Sequence, residues 1–481
     1  MIYFLNCANH ALFYYYLASN FAYLAMLVLA LRTSAAHLRH LESIRLDWFK
    51  GSPLIPPITL LVPAHNEGGF ICTAVKNLLD LDYPELEVIV INDGSTDNTL
   101  QSMQKGFGLR HVISVYVPKV VSAPVRGLYR SDLDPRLLVV DKEPGGSKAD
   151  AVNAGLNAAT SPYVCVVDGD SVLERDALLR IMVPILADPS RVVAAGGIIR
   201  VLNGSELQSG RMRRVRLAKK SIEVIQVVEY LRAFLIGREA WARGNMLMIV
   251  SGAFGVFRTD LVREIGGYRA FAIGEDFDLV ARLHRHLLEQ GSEYRIEFVP
   301  DPVCWTEVPS DLRSLARQRA RWHKGLLDVL WPNRDMLFRA RYGRIGSLAL
   351  PYLWLFELLA PVIEITGFAT VLLAALFGAL SKTLSLEFLL FGYGFATVIS
   401  LGSVLQEELT YKRYNDWQDV ARLVSYCFLE HFPYRQLHLI WRLQGFVQYF
   451  RGDMAWRPLK RQAQPSEEDD NSTSSPVAAK N

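Results

Sequence analysis

The sequence contains few cysteines and carries little net charge, and each of these two features excludes a class of protein. Its 481 residues include five cysteines, and no two of them have C-x-x-C spacing. This pattern argues against a disulfide framework and against a structural zinc site, and it is typical of reduced thiols. The formal net charge is only +3, so nothing in the composition indicates a nucleic-acid partner.

Apolar residues, by contrast, are abundant. Hydrophobic residues make up 51% of the sequence and charged residues 21%, which favours membrane segments over an unusually large core. Residues 11–31 carry no charge and are numerous enough to cross a bilayer as a helix. Basic residues follow at 32–50, which predicts that the next domain faces the cytoplasm. Without a basic segment in front or a clear small-residue cleavage site, a cleaved signal peptide is the less favoured interpretation.

From residue 56 to about residue 309 the pattern is that of an α/β domain. Short apolar runs have the composition of buried strands, and helical patterns separate them. Such alternation predicts a mostly parallel sheet, in which ligands bind beyond the carboxyl ends of the strands. The predicted strands are residues 58–62, 87–91, 137–140 and 163–167, and the predicted helices are residues 69–80 and 148–159. Residues 110–134 contain two prolines and several arginines and are interpreted as an inserted hairpin or a mobile loop.

Acidic side chains follow two of these strands directly. Asp168 and Asp170 end the fourth strand as Asp-Gly-Asp. Carboxylates placed there can bind Mg²⁺ or Mn²⁺, while substrate phosphates complete the coordination shell. The alternative is ordinary turn chemistry, in which Asp and Gly are common. The same two interpretations apply to Asp93, which ends the second strand.

Further polar residues are predicted at the same edge of the sheet. His65, Asn66 and Glu67 follow the first strand and form either a polar turn or part of a ligand site. Lys148 opens a predicted helix directly after a Pro-Gly-Gly-Ser segment. A lysine beside a glycine-rich turn and a helix N-terminus suits an anionic phosphate, and the alternative is a solvated surface lysine.

Two motifs further along the chain supply the remaining candidates. Glu275 and Asp276 stand in a Gly-Glu-Asp sequence, where an acid can take a proton from an acceptor hydroxyl. The alternative is an acidic helix start, which the helix dipole favours. Gln318, Arg321 and Trp322 are spaced i, i+3 and i+4, so a helix places them on one face. That face either binds ligand or anchors an interfacial helix in lipid.

The C-terminal third of the chain returns to an apolar composition. Residues 312–346 are basic and amphipathic, which predicts helices lying in the membrane interface. Residues 347–380 and 386–405 are candidate spans, whereas residues 420–450 carry too many polar side chains for a simple span. The predicted regions, in order, are an N-terminal membrane helix with its basic flank, a catalytic domain, interfacial helices, a C-terminal membrane region and a basic, then disordered tail. They comprise residues 1–50, 51–311, 312–346, 347–450 and 451–481.

Two glutamates interrupt the first candidate span of the C-terminal region. Glu357 and Glu364 are seven residues apart and would share one face of a helix. Charges at that depth are costly and usually face protein or water. They either pair with basic residues or line a path for a polymer or a cleft for a lipid headgroup.

In their order, these motifs resemble the membrane-embedded glycosyltransferases of family 2, the group of cellulose, hyaluronan and poly-N-acetylglucosamine synthases. The resemblance covers residues 56–325 and rests on Asp93, Asp168-Gly169-Asp170, Gly274-Glu275-Asp276 and Gln318-Arg319-Ala320-Arg321-Trp322. It implies an α/β domain with the GT-A fold and a nucleotide-sugar donor, with UDP as the expected nucleotide. Within this family, the sequence most resembles the poly-N-acetylglucosamine synthases.

The resemblance also implies roles for the candidate residues. His65, Asn66, Glu67 and Asp93 are expected around the nucleoside, and Lys148 is expected at the diphosphate. Asp170 is the expected metal ligand, with Asp168 ordering the ribose or the water shell of the ion. Asp276 is the expected catalytic base beside Glu275, with Gln318 and Arg321 near the diphosphate and Trp322 under the acceptor sugar.

Three functions compete at this point. The first is a processive β-polysaccharide synthase, and the second is a transferase that makes one glycolipid on a diacylglycerol or polyprenyl acceptor. The third, a non-catalytic membrane scaffold, is disfavoured by the intact acids at Asp168, Asp170 and Asp276. Either enzyme is expected in the inner or plasma membrane as a multi-pass protein with a cytoplasmic catalytic domain. Accessory membrane or export subunits are possible partners.

Overall fold

The structure, a computed structural model, describes residues 2–43, 55–113, 116–378 and 382–453. The end of the predicted basic flank, residues 44–50, and the tail from residue 454 onward lie outside the described residues. The described chain begins with a long helix, continues through an α/β domain and ends in a group of helices.

The strands belong to the α/β domain and are numbered in chain order. They are β1 (Ile58–Ala64), β2 (Leu86–Asp93), β3 (Leu109–Val112), β4 (Val125–Ser131), β5 (Leu137–Lys142), β6 (Tyr163–Val167), β7 (Val172–Leu173), β8 (Val192–Val201), β9 (Glu206–Gln208), β10 (Arg211–Arg214), β11 (Phe254–Arg258) and β12 (Arg295–Thr306).

The helices are numbered in the same way. They are α1 (Ile2–Ser43), α2 (Ile71–Leu79), α3 (Thr99–Phe107), α4 (Lys148–Ala158), α5 (Ala177–Ala187), α6 (Ser221–Tyr230), α7 (Arg238–Arg243), α8 (Thr259–Glu264), α9 (Glu275–Glu289), α10 (Leu312–Leu330), α11 (Leu350–Tyr352), α12 (Ala360–Leu376), α13 (Lys382–Glu387), α14 (Phe395–Thr410), α15 (Trp417–Leu429) and α16 (Tyr434–Phe450). Wider π-helical turns occur at Leu231–Gly237, Ile345–Ala349, Leu353–Leu358 and Phe388–Gly394, and 3₁₀ turns at Arg334–Met336 and Ala340–Tyr342.

Ten of the strands form one mixed sheet in the order β3-β4-β5-β2-β1-β6-β11-β8-β12-β7. At its centre β5, β2, β1 and β6 are parallel, so their carboxyl ends open on one edge. β11 runs antiparallel between β6 and β8. The four predicted strands are these central four, and the predicted mostly parallel sheet is confirmed for them, with antiparallel strands added on both sides. Residues 110–134 contribute the antiparallel pair β3 and β4, so the hairpin interpretation is confirmed and the hairpin extends the sheet beside β5.

The core lies on both faces of the sheet. In β1, Leu60 and Val62 pack on one face with helices α2 and α5, while Leu61 packs on the other face with α4. Alternate side chains of a strand point to opposite faces, and helices cover both of them. That double burial explains why the central strands have nearly continuous apolar sequences.

The N-terminal helix packs against the C-terminal helices α12 and α14. Among the described residues, the helical stretch Cys7–Ser34 is long and apolar enough to cross a membrane. The pair Ile345–Leu358 and Ala360–Leu376, bent by 45°, would add a second crossing if it forms one span. Residues 386–405 are helical, with a π-helical segment at Phe388–Gly394. A multi-pass arrangement therefore stays a prediction.

Residues 420–450 form two helices, α15 and α16, rather than one continuous helix. α16 packs along α10, where Arg442 Nε lies 3.4 Å from His323 Nδ1 and Lys324 Nζ donates to the carbonyl of Asp453 at 2.6 Å. Much of α10 is buried by these contacts. Its predicted contact with a lipid interface stays a prediction.

Candidate active site

The carboxyl ends of the central strands bring charged side chains to one edge of the sheet. Asp93, at the end of β2, accepts hydrogen bonds from Lys142 Nζ (2.5 Å) and from the backbone N–H of Gly145 (2.9 Å). Lys142 is fully buried and also pairs with Asp150 at 2.7 Å. Each buried charge in this group has an opposite partner, so Asp93 holds the loop after β5 against β2. Its predicted contact with a nucleoside stays a prediction.

The residues after β1 meet the ends of β2 and β6. His65 Nδ1 lies 2.8 Å from the carbonyl oxygen of Asp93. Asn66 has a φ of +57°, in the left-handed region that asparagine tolerates. A Cβ on Gly169 would lie 2.5 Å from Glu67 Oε2, so the Glu67 carboxylate packs directly against the Asp-Gly-Asp turn. The three predicted residues therefore line the same edge as the acidic turn.

Lys148 links the acidic turn to the Gly-Glu-Asp motif. It is the first residue of α4, and its Nζ lies 2.5 Å from Asp168 Oδ1 and 3.7 Å from Glu275 Oε1. The same ammonium donates to the carbonyl of Gly252 at 3.0 Å. Asp168 and Glu275, which are 107 residues apart in the sequence, thus share one lysine.

Asp276 is the second residue of α9, and backbone amides fix its carboxylate. Oδ2 accepts the N–H of Gly252 at 3.3 Å, and Oδ1 accepts the N–H of Phe277 at 2.9 Å. Asp278, by comparison, pairs with Arg282 (2.7 Å) and so has a structural role. Asp276 therefore lies at the start of a helix, and its expected role as the catalytic base stays a prediction.

Helix α10 reaches the site because its backbone closely approaches the start of α9. A Cβ on Gly325 would lie only 3.1 Å from the backbone nitrogen of Gly274, so a larger residue would push the helices apart. Gln318 is buried, and its Oε1 has no hydrogen-bond partner among the described residues. Trp322 is 39% exposed, and the guanidinium of Arg319 lies 4.1 Å from its ring centroid.

Electrostatic interactions connect Arg321 of α10 to the three carboxylates of the site. Burial raises the pKa of Glu275 to about 7, with Lys148 opposing the rise and Asp276 adding to it. Burial alone would lower the pKa of Lys148, but the charges of Asp168 and Glu275 outweigh it and raise that pKa. Burial lowers the pKa of Arg321, although Asp276, Glu275 and Asp168 oppose this shift. Arg321 therefore shares one electrostatic environment with all three carboxylates.

Four residues that the sequence patterns did not indicate also lie here. Lys142 ends β5 at the same edge as Asp93, and its position after a predicted strand was the available signal. Tyr230 and Phe234 have ring centroids 6.3 Å from that of Trp322. Arg238 stacks on Phe234 at 4.1 Å. The i, i+4, i+8 spacing of these last three residues places them along one helical stretch.

The acidic turn offers oxygen ligands to a divalent cation but not a complete shell. Asp168 and Asp170 lie in one turn after β6 and are partly exposed. In the described part of the chain, no group of three or more His, Cys, Asp or Glu residues is arranged to hold a metal ion. Mg²⁺ is commonly bound through one or two carboxylates plus substrate phosphates, so these residues fit an ion that arrives with a diphosphate.

The two glutamates of the C-terminal region have basic partners. Glu357 accepts a hydrogen bond from the Tyr23 hydroxyl (2.9 Å) and lies 3.7 Å from Arg442. Glu364 lies 3.6 Å from Arg435. Both arginines belong to α16, so the pairing interpretation is confirmed for these glutamates.

Residues 56–325 match the protein family described as glycosyltransferase like family 2. The match covers more than half of the chain and includes every candidate site residue. The chain belongs to glycosyltransferase family 2. This family 2 chain is 27% identical over 306 residues to the poly-β-1,6-N-acetyl-D-glucosamine synthase of Staphylococcus epidermidis, covering 62% of the chain and 63% of the relative. It is 28% identical over 303 residues to the enzyme of the same name from Staphylococcus aureus, covering 62% and 60%.

The chain thus aligns with less than two thirds of the length of these curated relatives. Among solved structures, a mannosyltransferase from Pyrobaculum calidifontis, in complex with GDP-mannose and Mn²⁺, superposes with a TM-score of 0.51 at 21% sequence identity. The superposition covers 91% of this chain and 99% of the mannosyltransferase. The GT-A fold that the motifs predicted is therefore confirmed.

Proposed function

We propose that this family 2 protein is an inverting hexosyltransferase that builds a β-linked polysaccharide at a membrane from a nucleotide sugar. The proposed donor is UDP-linked, and the proposed product is similar to poly-N-acetylglucosamine. The observation that carries the proposal is the convergence of Lys148, Asp168, Glu275, Asp276 and Arg321 at one sheet edge. The two staphylococcal synthases support the choice of product.

On the donor side, the residues would bind and orient the nucleotide. Asp170 would ligate Mg²⁺ or Mn²⁺, with Asp168 at the ribose or at the water shell. The ion, when bound, neutralises charge that develops on the departing nucleoside diphosphate. Lys148 and Arg321 would contact the phosphates, for which arginine offers a planar fork of donors.

On the acceptor side, Asp276 would act as the base. Its carboxylate takes the proton of the acceptor hydroxyl while the hydroxyl oxygen attacks the anomeric carbon. The bond from that carbon to the phosphate oxygen breaks on the opposite face, so the configuration inverts. Trp322 would support the acceptor ring on its apolar face.

A second candidate is a transferase that makes one glycolipid on a diacylglycerol or polyprenyl acceptor. The small number of clear crossings, one helix and one bent pair among the described residues, favours it. For both candidates we propose a multi-pass arrangement in the inner or plasma membrane with a cytoplasmic catalytic domain, and accessory export subunits would be further partners.

Product analysis separates the two candidates. The purified protein in lipid nanodiscs is incubated with radiolabelled UDP-N-acetylglucosamine and Mn²⁺, and the products are sized before and after digestion with a β-1,6-specific hexosaminidase. We expect a long, digestible polymer that Asp276→Asn does not make. A single chloroform-soluble band would establish the glycolipid candidate instead. Absence of nucleoside diphosphate release with every nucleotide sugar tested would contradict both and favour a non-catalytic scaffold.

A further inference from the structure

Arg238 is a buried arginine whose donors are not satisfied by the described structure. Only 6% of its surface is exposed, and Nε and Nη1 are buried without a hydrogen-bond partner. Its guanidinium carbon lies 4.1 Å from the ring centroid of Phe234, a contact that uses none of its N–H groups. Leaving buried donors unpaired costs free energy, and a ligand that accepts from them would remove this cost.

The charge of Asp276 acts on Arg238. The carboxylates that act on Lys148 and Arg321 are Asp168, Glu275 and Asp276. The carboxylate that acts on Arg238 is Asp276, which together with Tyr230 opposes the burial that lowers the pKa of Arg238 to about 10.

No ion pair or hydrogen bond joins Arg238 to Asp276 among the described residues. Arg238 therefore interacts with the proposed base through its charge and without direct contact. A hydroxyl bound between the two groups would accept from the guanidinium and donate to the carboxylate.

Aromatic rings line the same side. Tyr230 and Phe234 pack together at 4.4 Å, and both lie 6.3 Å from Trp322. The π-helical turn Leu231–Gly237 separates Tyr230 from Arg238 and widens the helix where these side chains emerge. π-helical turns inside helices are frequent at functional sites, and flat apolar surfaces beside fixed donors suit a sugar ring.

We propose that Arg238 binds the acceptor glycan and holds its nucleophilic hydroxyl toward Asp276. The inference rests on the proposed function and adds a contact residue to it. Arginine only donates hydrogen bonds and keeps its proton, so it orients acceptor oxygens, such as hydroxyl or amide carbonyl oxygens, and leaves proton removal to Asp276. Its contact with the ring of Phe234, which lies 6.3 Å from Trp322, assigns it to the acceptor rather than to the diphosphate.

The test compares Arg238→Met and Arg238→Lys with the wild-type protein in nanodiscs. Arg263→Met is the matched control, because burial also lowers the pKa of Arg263 while its Nη2 donates to the carbonyls of Leu156 and Ala159, both at 2.6 Å. Transfer from UDP-N-acetylglucosamine is measured against the concentration of a short β-1,6-linked N-acetylglucosamine oligosaccharide. Donor affinity is measured separately as UDP binding with Mn²⁺.

For Arg238→Met we expect about a tenfold or greater rise in the acceptor concentration at half-maximal rate, with UDP affinity within about twofold of wild type. Arg238→Lys should recover part of the loss, and Arg263→Met should leave the acceptor dependence unchanged. Weakened UDP binding with an unchanged acceptor dependence would overturn the proposal in favour of a donor contact. Failure of both Arg238 variants to fold would overturn it in favour of a purely structural role.

The outcome also distinguishes the inference from the proposed function. If the wild-type protein transfers no sugar, the proposed function fails and the inference fails with it. If the wild-type protein elongates the oligosaccharide and Arg238→Met does so with the same acceptor dependence, the inference alone is refuted.

Discussion

The proposed donor and acceptor sides of the site differ in how their charges are satisfied. On the donor side, Lys142 and Lys148 each contact two carboxylates. On the proposed acceptor side, Nε and Nη1 of Arg238 are buried without hydrogen-bond partners among the described residues. The donor side is thus organised by its own ion pairs, whereas the acceptor side is left incomplete for a ligand to finish. Preorganised groups of this kind favour a transition state without rearrangement.

The two sides also have different origins in the chain. The donor side is built from consecutive strand ends of one sheet, which lie side by side because the strands are parallel. The proposed acceptor side is built from the helical stretch 221–243 and from Trp322 of α10. These two segments meet through tertiary contacts that a strand end does not need, such as the ion pair of Arg319 with Glu229 at 2.6 Å.

The largest effect is expected where the two sides meet. Asp276→Asn should lower transfer by about 10²–10⁴-fold because the neutral amide cannot take the acceptor proton, while UDP binding should stay near wild type. Nucleoside diphosphate release and polymer formation are the measurements, and Asp260→Asn, an exposed acid paired with Arg258, is the control. Substantial turnover by Asp276→Asn would place the base elsewhere.

The internal pairing of the donor side predicts a large stability effect. Lys142→Met should lower the free energy of unfolding by about 3–5 kcal/mol, because it leaves Asp93 and Asp150 buried without their cation. Thermal unfolding of the purified protein is the measurement, with the exposed Lys105→Met as the control. Equal unfolding temperatures for the two variants would contradict the idea that ion pairs organise this side.

The proposed metal interaction belongs to the donor side alone, so removing it tests the difference between the two sides. Asp170→Ala should weaken Mn²⁺-dependent UDP binding by about tenfold or more. Removing even a residue that only supports a metal ligand typically costs about tenfold in metal affinity. UDP affinity with and without Mn²⁺ is the measurement, and affinity for an acceptor oligosaccharide should not change. If Mn²⁺ enhances binding equally in the mutant and the wild type, Asp170 is not the ligand.

Trp322 tests the proposed acceptor side, where we expect a loss of transfer without a loss of donor binding. Trp322→Ala should lower transfer by about tenfold through loss of an aromatic platform, while UDP binding survives because Arg321 and the acids remain. Trp322→Phe should retain more activity than Trp322→Leu. Normal transfer by Trp322→Leu, together with weaker membrane partitioning of Trp322→Ala, would show that the ring anchors the helix in lipid.

The smallest effect concerns pH and Glu275. Its pKa rises from the ordinary 4.5 to about 7 in the folded protein, so the folded state binds this proton more tightly than the unfolded chain does. The free energy of unfolding should therefore fall as pH rises from about 4.5 to about 7 and then level off. Glu275→Gln should remove this component, which we expect to be about 2–4 °C in unfolding temperature. An unchanged pH profile in Glu275→Gln would show that Lys148 already compensates the charge.

The sequence was sufficient for the features that depend on neighbouring residues. The central strands followed from apolar runs, and their polar ends followed from the residues directly after each run, such as Asp93 and Asp168. The order of the motifs was also enough to indicate the family. Local periodicity explains these successes, because alternation and strand ends are encoded within a few residues.

Other features were decided by the tertiary structure alone. In the sequence, Arg238 and Lys142 resemble ordinary polar residues. Only the packing shows that Nε and Nη1 of Arg238 are buried without hydrogen-bond partners and that Lys142 lies between two acids. The pairing of Glu357 with Arg442 joins residues 85 apart. Burial and charge pairing depend on which distant segments meet, and the energy of a buried charge depends on those neighbours rather than on its own segment. The donor side was therefore predictable from strand ends, whereas the acceptor side required the folded molecule.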